Sequence, residues 1–246
     1  MTNTIKELCA RRSVRAFTDR EITKEEKLAI LTAAVNAPTA GNQQLYTIID
    51  VTDQKIKDAL VDTCDGQPFI AEAKLVLIFC ADAKKWYDAY VFVGCEARSL
   101  DVGDLMLAVS DANIAAQNAV TAAESLGIGS CYIGDIMENC EAQRALLGLP
   151  RHVFPAAMLV FGYPTDQQKE RKKPERAALS HIVHENRYRE MGSAELQAML
   201  EGRTGARGYE DWIRAFCERK YNSDFSREMS RSCREYLKDF ENPDNK

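Results

Sequence analysis

The chain has 246 residues, a formal net charge of −5 and an apolar fraction of 46%, enough for one large domain with a real core. The acidic balance excludes a global basic field that would gather nucleic acid. The longest apolar region, 108–123, is broken by Asp111, Asn113, Gln117 and Asn118, so no membrane span is expected. Lys6, Glu7, Arg11 and Arg12 interrupt any apolar run at the start, and without a signal peptide a cytoplasmic location is expected.

Thr4 and Glu7 have capping-box spacing ahead of Ile5, Leu8 and Cys9, which predicts a short first helix. It leads into Arg11-Arg12-Ser13-Val14-Arg15. Three guanidinium groups and a hydroxyl within five residues suit a compact dianion, because arginine presents planar, fixed donors to phosphate oxygens. Taken alone, the cluster reads better as a solvated basic turn. Thr23 and Glu26 repeat the capping box before a second helix, which Ala37-Pro38 stops. The loop Pro38-Thr39-Ala40-Gly41-Asn42-Gln43-Gln44 follows, with amides able to read a heterocycle edge or serve as an ordinary connection.

Tyr46 to Val51 predicts a strand, Ile56 to Cys64 an amphipathic helix, and Leu75-Val76-Leu77-Ile78-Phe79 a buried central strand. Trp86, Tyr87, Tyr90 and Phe92 mark an aromatic helical segment. Asp101 to Leu126 is the longest helical pattern, rich in alanine and closed by Gly127. Gly127 to Gly134 reads as a glycine-punctuated loop and short strand. It lacks the third glycine and the helix-after context of a dinucleotide fingerprint.

Glu141 to Leu149 predicts a helix and Ala156 to Phe161 another apolar strand, closed by Gly162-Tyr163-Pro164. The charged tract from Asp166 to Arg176 reads as a solvated loop or as a second cationic arm. His152, His181 and His184 have no matching ligand set, and the eight cysteines contain no Cys-x-x-Cys pair, so no metal site is expected. The tail from Ser193 carries apolar faces at Trp212, Ile213 and Phe216 and at Tyr236, Leu237 and Phe240. It reads as a helical extension, residues 191–246, packing on a core domain of 1–190 or on a partner.

Taken in this order, the motifs resemble the nitroreductase-like flavoproteins over roughly residues 1 to 190. Arg11 to Arg15 resembles that family's flavin-phosphate motif. Ala37 to Gln44 resembles its Ala-Pro-Ser-x-x-Asn-x-Gln loop, with threonine in place of serine. Asp111 to Ile133 resembles its central dimer helix and the glycine loop after it. Gly162-Tyr163-Pro164 and Lys173-Pro174-x-Arg176 match its closing strand and basic segment.

The resemblance implies an α+β fold, a mixed, mostly antiparallel sheet flanked by helices, in an intertwined homodimer with FMN at the subunit interface. It implies that Arg11, Arg12, Ser13, Arg15, Lys173 and Arg176 hold the phosphate and ribityl chain. Pro38, Thr39 and Asn42 would approach from the partner, and Ile133 and Gly134 would offer N–H groups near the flavin ring. The implied activity is reduction of nitroaromatics, quinones or another electron-poor small molecule by NADH or NADPH, in a ping-pong hydride transfer without a catalytic side chain. The alternatives are a storage or regulatory FMN-binding protein, or a specialised relative such as a dehalogenase, an enoate reductase or a flavin-consuming enzyme. A purely structural interaction protein would leave the ordered motifs unexplained.

Overall fold

The two apolar runs pair at the centre of the sheet. In the computed structural model, which describes residues 2–241, the regular elements start with α1 (Asn3–Ala10), α2 (Lys24–Val35), β1 (Tyr46–Asp50), α3 (Gln54–Thr63) and α4 (Phe69–Glu72). Then come β2 (Leu75–Asp82), α5 (Lys84–Phe92), α6 (Val102–Ser125), β3 (Gly129–Ile133) and α7 (Cys140–Leu147). The series ends with β4 (Val153–Gly162), α8 (Asp166–Glu170), α9 (Ser193–Thr204), α10 (Tyr209–Lys220) and α11 (Asp224–Glu241). The chain divides into two compact units. One runs up to Arg171 and resumes at Glu228; the other is Lys172–Arg227.

In the first unit the strands lie in the order β1-β2-β4-β3, every neighbouring pair antiparallel. An isolated parallel bridge joins Ser13 to Ser130. The α+β expectation, a mostly antiparallel sheet among helices, therefore holds. β2 and β4 are buried along their whole length because both sheet faces are covered. Leu75, Leu77, Phe79, Leu159 and Phe161 pack with Ile30, Ala112 and Ala116 of α2 and α6. Val76, Ile78, Met158 and Val160 pack on the other face with Leu60, Ile70 and Ile136. β4 extends further back than its sequence suggests, through Pro155. The ladder shifts register between Phe79 and Cys80, and Pro155 sits opposite Cys80 beside that irregularity, where a missing N–H is tolerated.

Local signals explain several element ends. Thr23 and Glu26 form the full capping box, and Tyr163 at the end of β4 donates its hydroxyl to the same Glu26 carboxylate. The box read at Thr4 is not used, because α1 begins at Asn3 behind Thr2. The tract after Thr165 is not all loop. Lys169 pairs with Asp166 at 2.8 Å on α8, and Arg12 Nη1 donates to the carbonyls of Lys169 and Arg171, both at 2.6 Å, capping that helix from outside.

The end of α11 is core. Tyr236 and Phe240 are buried, and Tyr236 meets Phe154 edge to face at 5.0 Å. His152 packs edge-on against Phe240 at 5.2 Å. In the second unit, Trp212 and Phe216 stack at 4.9 Å on α10, and the Arg189 N–H donates to His184 Nδ1 at 3.1 Å. No helix among the described residues is long and apolar enough to cross a membrane.

One buried carboxyl makes the first unit sensitive to pH. Glu138 precedes α7, is 6% exposed, and its Oε1 has no hydrogen-bond partner. Burial first, then the carboxylates of Asp135, Asp65 and Glu228, push its pKa up to about 7. The folded chain therefore holds this proton more tightly than the unfolded chain does, so stability falls as pH rises from about 4.5 to about 7 and stays reduced above that. Glu138→Gln is expected to be more stable than the parent at pH 8 by on the order of 1–3 kcal/mol, with the gain largely lost at pH 5. Denaturant melts at the two pH values check this; an offset independent of pH would refute it.

Candidate active site

The cationic stretch is laid against the sheet by backbone bonds and two glycines. Val14 N–H donates to Ser130 O at 2.9 Å, and Thr18 N–H to Tyr163 O at 2.8 Å. A Cβ on Gly129 would lie 2.5 Å from Val14 Cγ2, and one on Gly162 would lie 2.6 Å from the Phe17 ring. Residues 13–18 can thus lie flat along β3 and the end of β4 only because those two positions carry no side chain. The close approach that Gly129 permits is to this strap.

The strap separates its arginines. Burial raises the pKa of the Cys131 thiol, opposed by Arg15, Ser13 and Arg11, which places those three groups around the middle of β3. Burial also pushes Tyr132 up to about 12, opposed by Arg11. Arg11 Nη1 and Ser130 Oγ are buried with no hydrogen-bond partner. A buried unpaired guanidinium N–H is costly unless an acceptor meets it. Arg12 differs: its Nη1 serves the carbonyls at the end of α8. Lys173 and Arg176 lie in the second compact unit, outside its helices.

The loop from Pro38 to Leu45 is organised by a residue to which sequence reading assigned no role in that loop. Asp111 of α6 is 3% exposed. It accepts from the Thr39 hydroxyl, from Ala40 N–H at 3.0 Å and from Leu45 N–H at 3.1 Å. Thr39 Oγ1 in turn accepts from Gln44 N–H at 2.8 Å. The threonine hydroxyl is therefore spent inside the loop. Gly41, Asn42 and Gln44 all have φ between 50° and 57°, a left-handed stretch that these bonds hold in place. Pro38 and Asn42 are left exposed. A carboxylate spaced among Ala108, Ala112 and Ala115 on the buried face of a helix was the available signal.

Ile133 ends β3, buried, and Gly134 opens a 3-10 turn, exposed. The first N–H groups of such a turn have no partner within it and can face a ligand. The arrangement thus offers cationic donors, one of them the buried Arg11 Nη1, beside the middle of β3 and backbone donors at its C-terminal end. Among the described residues no cluster of His, Cys, Asp and Glu could hold a metal ion.

Comparison with known proteins places these features in one family. A model described as the nitroreductase family matches residues 8–163. An oxygen-insensitive NADPH nitroreductase of Salmonella typhimurium is 39% identical over 188 residues, 76% of this chain and 75% of that protein. An FMN reductase [NAD(P)H] of Bacillus subtilis is 31% identical over 240 residues, 96% of this chain and 91% of that protein. Among solved structures, the NADPH:FMN oxidoreductase of Vibrio harveyi complexed with NAD+ superposes with a TM-score of 0.80 at 26% identity, covering 96% of this chain and 98% of that one.

The Asp111 network yields a direct test. Asp111→Ala would leave two buried N–H groups and a hydroxyl without their acceptor, at an expected cost of about 2–4 kcal/mol. Hydrogen exchange at Ala40 and Leu45 should quicken more than exchange in β2 and β4. A variant as stable as the parent, with both amides still protected, would show that the carboxylate does not hold the loop.

Proposed function

The chain belongs to the nitroreductase family, and on that premise we propose that it is an FMN-dependent oxidoreductase using NADH or NADPH to reduce nitroaromatics, quinones or another electron-poor small molecule. The observation that carries the reading is the buried Arg11 Nη1 without a hydrogen-bond partner, on a stretch whose Arg15, Ser13 and Arg11 all act on Cys131 of β3. These donors fit a phosphate dianion, since charge-assisted bonds from guanidinium to phosphate are the strong ones. FMN, when bound, supplies a ring that accepts a hydride from reduced nicotinamide and passes it to the acceptor in a ping-pong cycle.

The chain's own work is binding and orientation. Arg11 and Arg15 neutralise the phosphate, and the Ser13 hydroxyl donates to it. Arg12 supports this end by fixing α8 against the strap. Ile133 and Gly134 direct backbone donors at the ring. Pro38 and Asn42 contact it from a second copy, and Thr39 contributes by holding their loop in shape. No side chain needs to act as nucleophile or general base. A homodimer is supported by apolar side chains left facing outward on α1 and α6. Met106 is 59% exposed, and Ile5 and Leu8 are nearly half exposed.

The visible spectrum of freshly purified protein, recorded anaerobically before and after NADH and then NADPH, tests the function. A flavin band that bleaches is expected, with the faster dinucleotide naming the donor. A protein that stays colourless when FMN is supplied would overturn the proposal. Arg11→Ala is expected to weaken FMN binding by about tenfold or more, as loss of a charged hydrogen bond implies. Unchanged FMN content in that variant would remove Arg11 from the phosphate site.

A further inference from the structure

Between α5 and the first turns of α6 lies a cavity of about 380 Å³, within the range of roughly 300–1,000 Å³ typical of small-ligand sites. Trp86, Tyr87 and Tyr90 form its aromatic side, and Gln43 and Leu45 line it from the loop. The indole is fixed in position: Trp86 Nε1 donates to Gln43 O at 2.6 Å, and its ring lies 6.0 Å from Tyr90 at 47°. Three π faces thus converge on one space.

The charges at the rim are unequal. Arg98 donates to both Asp104 oxygens, at 2.6 and 2.8 Å, and to Ser99 O at 3.0 Å. That guanidinium and that carboxylate answer each other. Glu96 also lines the cavity, and among the described residues no hydrogen bond or ion pair engages its side chain. The lining therefore combines aromatic faces with one uncompensated negative charge. Aromatic faces attract cations through the ring quadrupole, and a carboxylate at the rim adds a second attraction of the same sign.

We propose that this cavity binds a flat aromatic cation of one or two fused rings, of the pyridinium or quinolinium type. The ring would stack among Trp86, Tyr87 and Tyr90, with its positive charge toward Glu96. An aromatic anion would meet the carboxylate and be rejected, and a neutral ring would gain stacking alone.

Calorimetric titration of the full chain with N-methylquinolinium tests the site. Quinoline at pH 8 serves as the uncharged counterpart, and naphthalene-2-sulfonate as the anion. The cation is expected to bind about 5- to 10-fold more tightly than quinoline, and the anion not at all. Glu96→Gln, at an exposed position, should abolish the preference for the cation while leaving quinoline binding in place. Tyr90→Leu, also exposed, should weaken both ligands. Equal affinity for cation and neutral ring, a preference that survives Glu96→Gln, or no binding of any probe would each overturn the proposal. Neither flavin nor reduced nicotinamide enters the measurement, so its result is separate from that of the oxidoreductase reading.

Discussion

A strap of charged residues can lie against a sheet only where the sheet has no side chain in the way. Gly129 and Gly162 meet that condition at two points, one under Val14 and one under Phe17. Between them the strap gains the Val14–Ser130 and Thr18–Tyr163 backbone bonds and an antiparallel bridge from Phe17 to Pro164. Everything charged in the site follows from that contact. With Val14 buried, the neighbouring residues turn outward from it. Ser13, Arg11 and Arg15 come to surround Cys131, while Arg12 reaches the end of α8. One basic cluster is thus divided between the Cys131 side of β3 and the end of α8 by the pleat of its strap.

The buried carboxylate of Asp111 solves a different problem by the same economy. A loop with left-handed residues at 41, 42 and 44 needs external bonds to persist, since non-glycine residues there are strained. Asp111 gives that loop three acceptor contacts, from a helix already fixed by its alanine face. A carboxylate accepting two backbone N–H groups and a hydroxyl is adequately solvated by them, which is why it can sit inside an apolar cluster. The same helix leaves Met106 and Leu107 facing outward. One element therefore holds the loop from within and presents apolar side chains on its outer side.

Much of the framework was legible because its signals are local. The runs at 75–79 and 156–161 are buried strands because unbroken apolar sequence fits a strand covered on both faces. Thr23 and Glu26 carry their capping box in their spacing, and α6 carries its length in its alanine pattern. The order of motifs led to the right family. What escaped reading depends on partners distant in sequence. Asp111 acts on a loop some seventy residues earlier, Arg12 on carbonyls more than 150 residues later, and Gly129 on Val14. The helical turn at α8 was hidden because its end is capped by that remote arginine. Tyr236 and Phe240 showed an apolar face in the sequence, but only the fold supplies Phe154 and His152 as their neighbours.

The loop at 38–45 also joins two sites mechanically. Its inner side is bound to Asp111, and Gln43 O takes the indole N–H of Trp86, so the aromatic cavity and the Asp111 network share this loop as a wall. A shift of the loop would move Trp86, and a ligand that fixes Trp86 would restrain the loop. The strength of that coupling is bounded by the bonds that carry it, each worth about 0.5–1.5 kcal/mol net. A ligand in the cavity could therefore bias the loop by a few-fold without unfolding it. Larger effects would require breaking the bonds to the buried Asp111 carboxylate itself. The loop is thus anchored most firmly on its α6 side and is most adjustable where it meets the aromatic residues of α5.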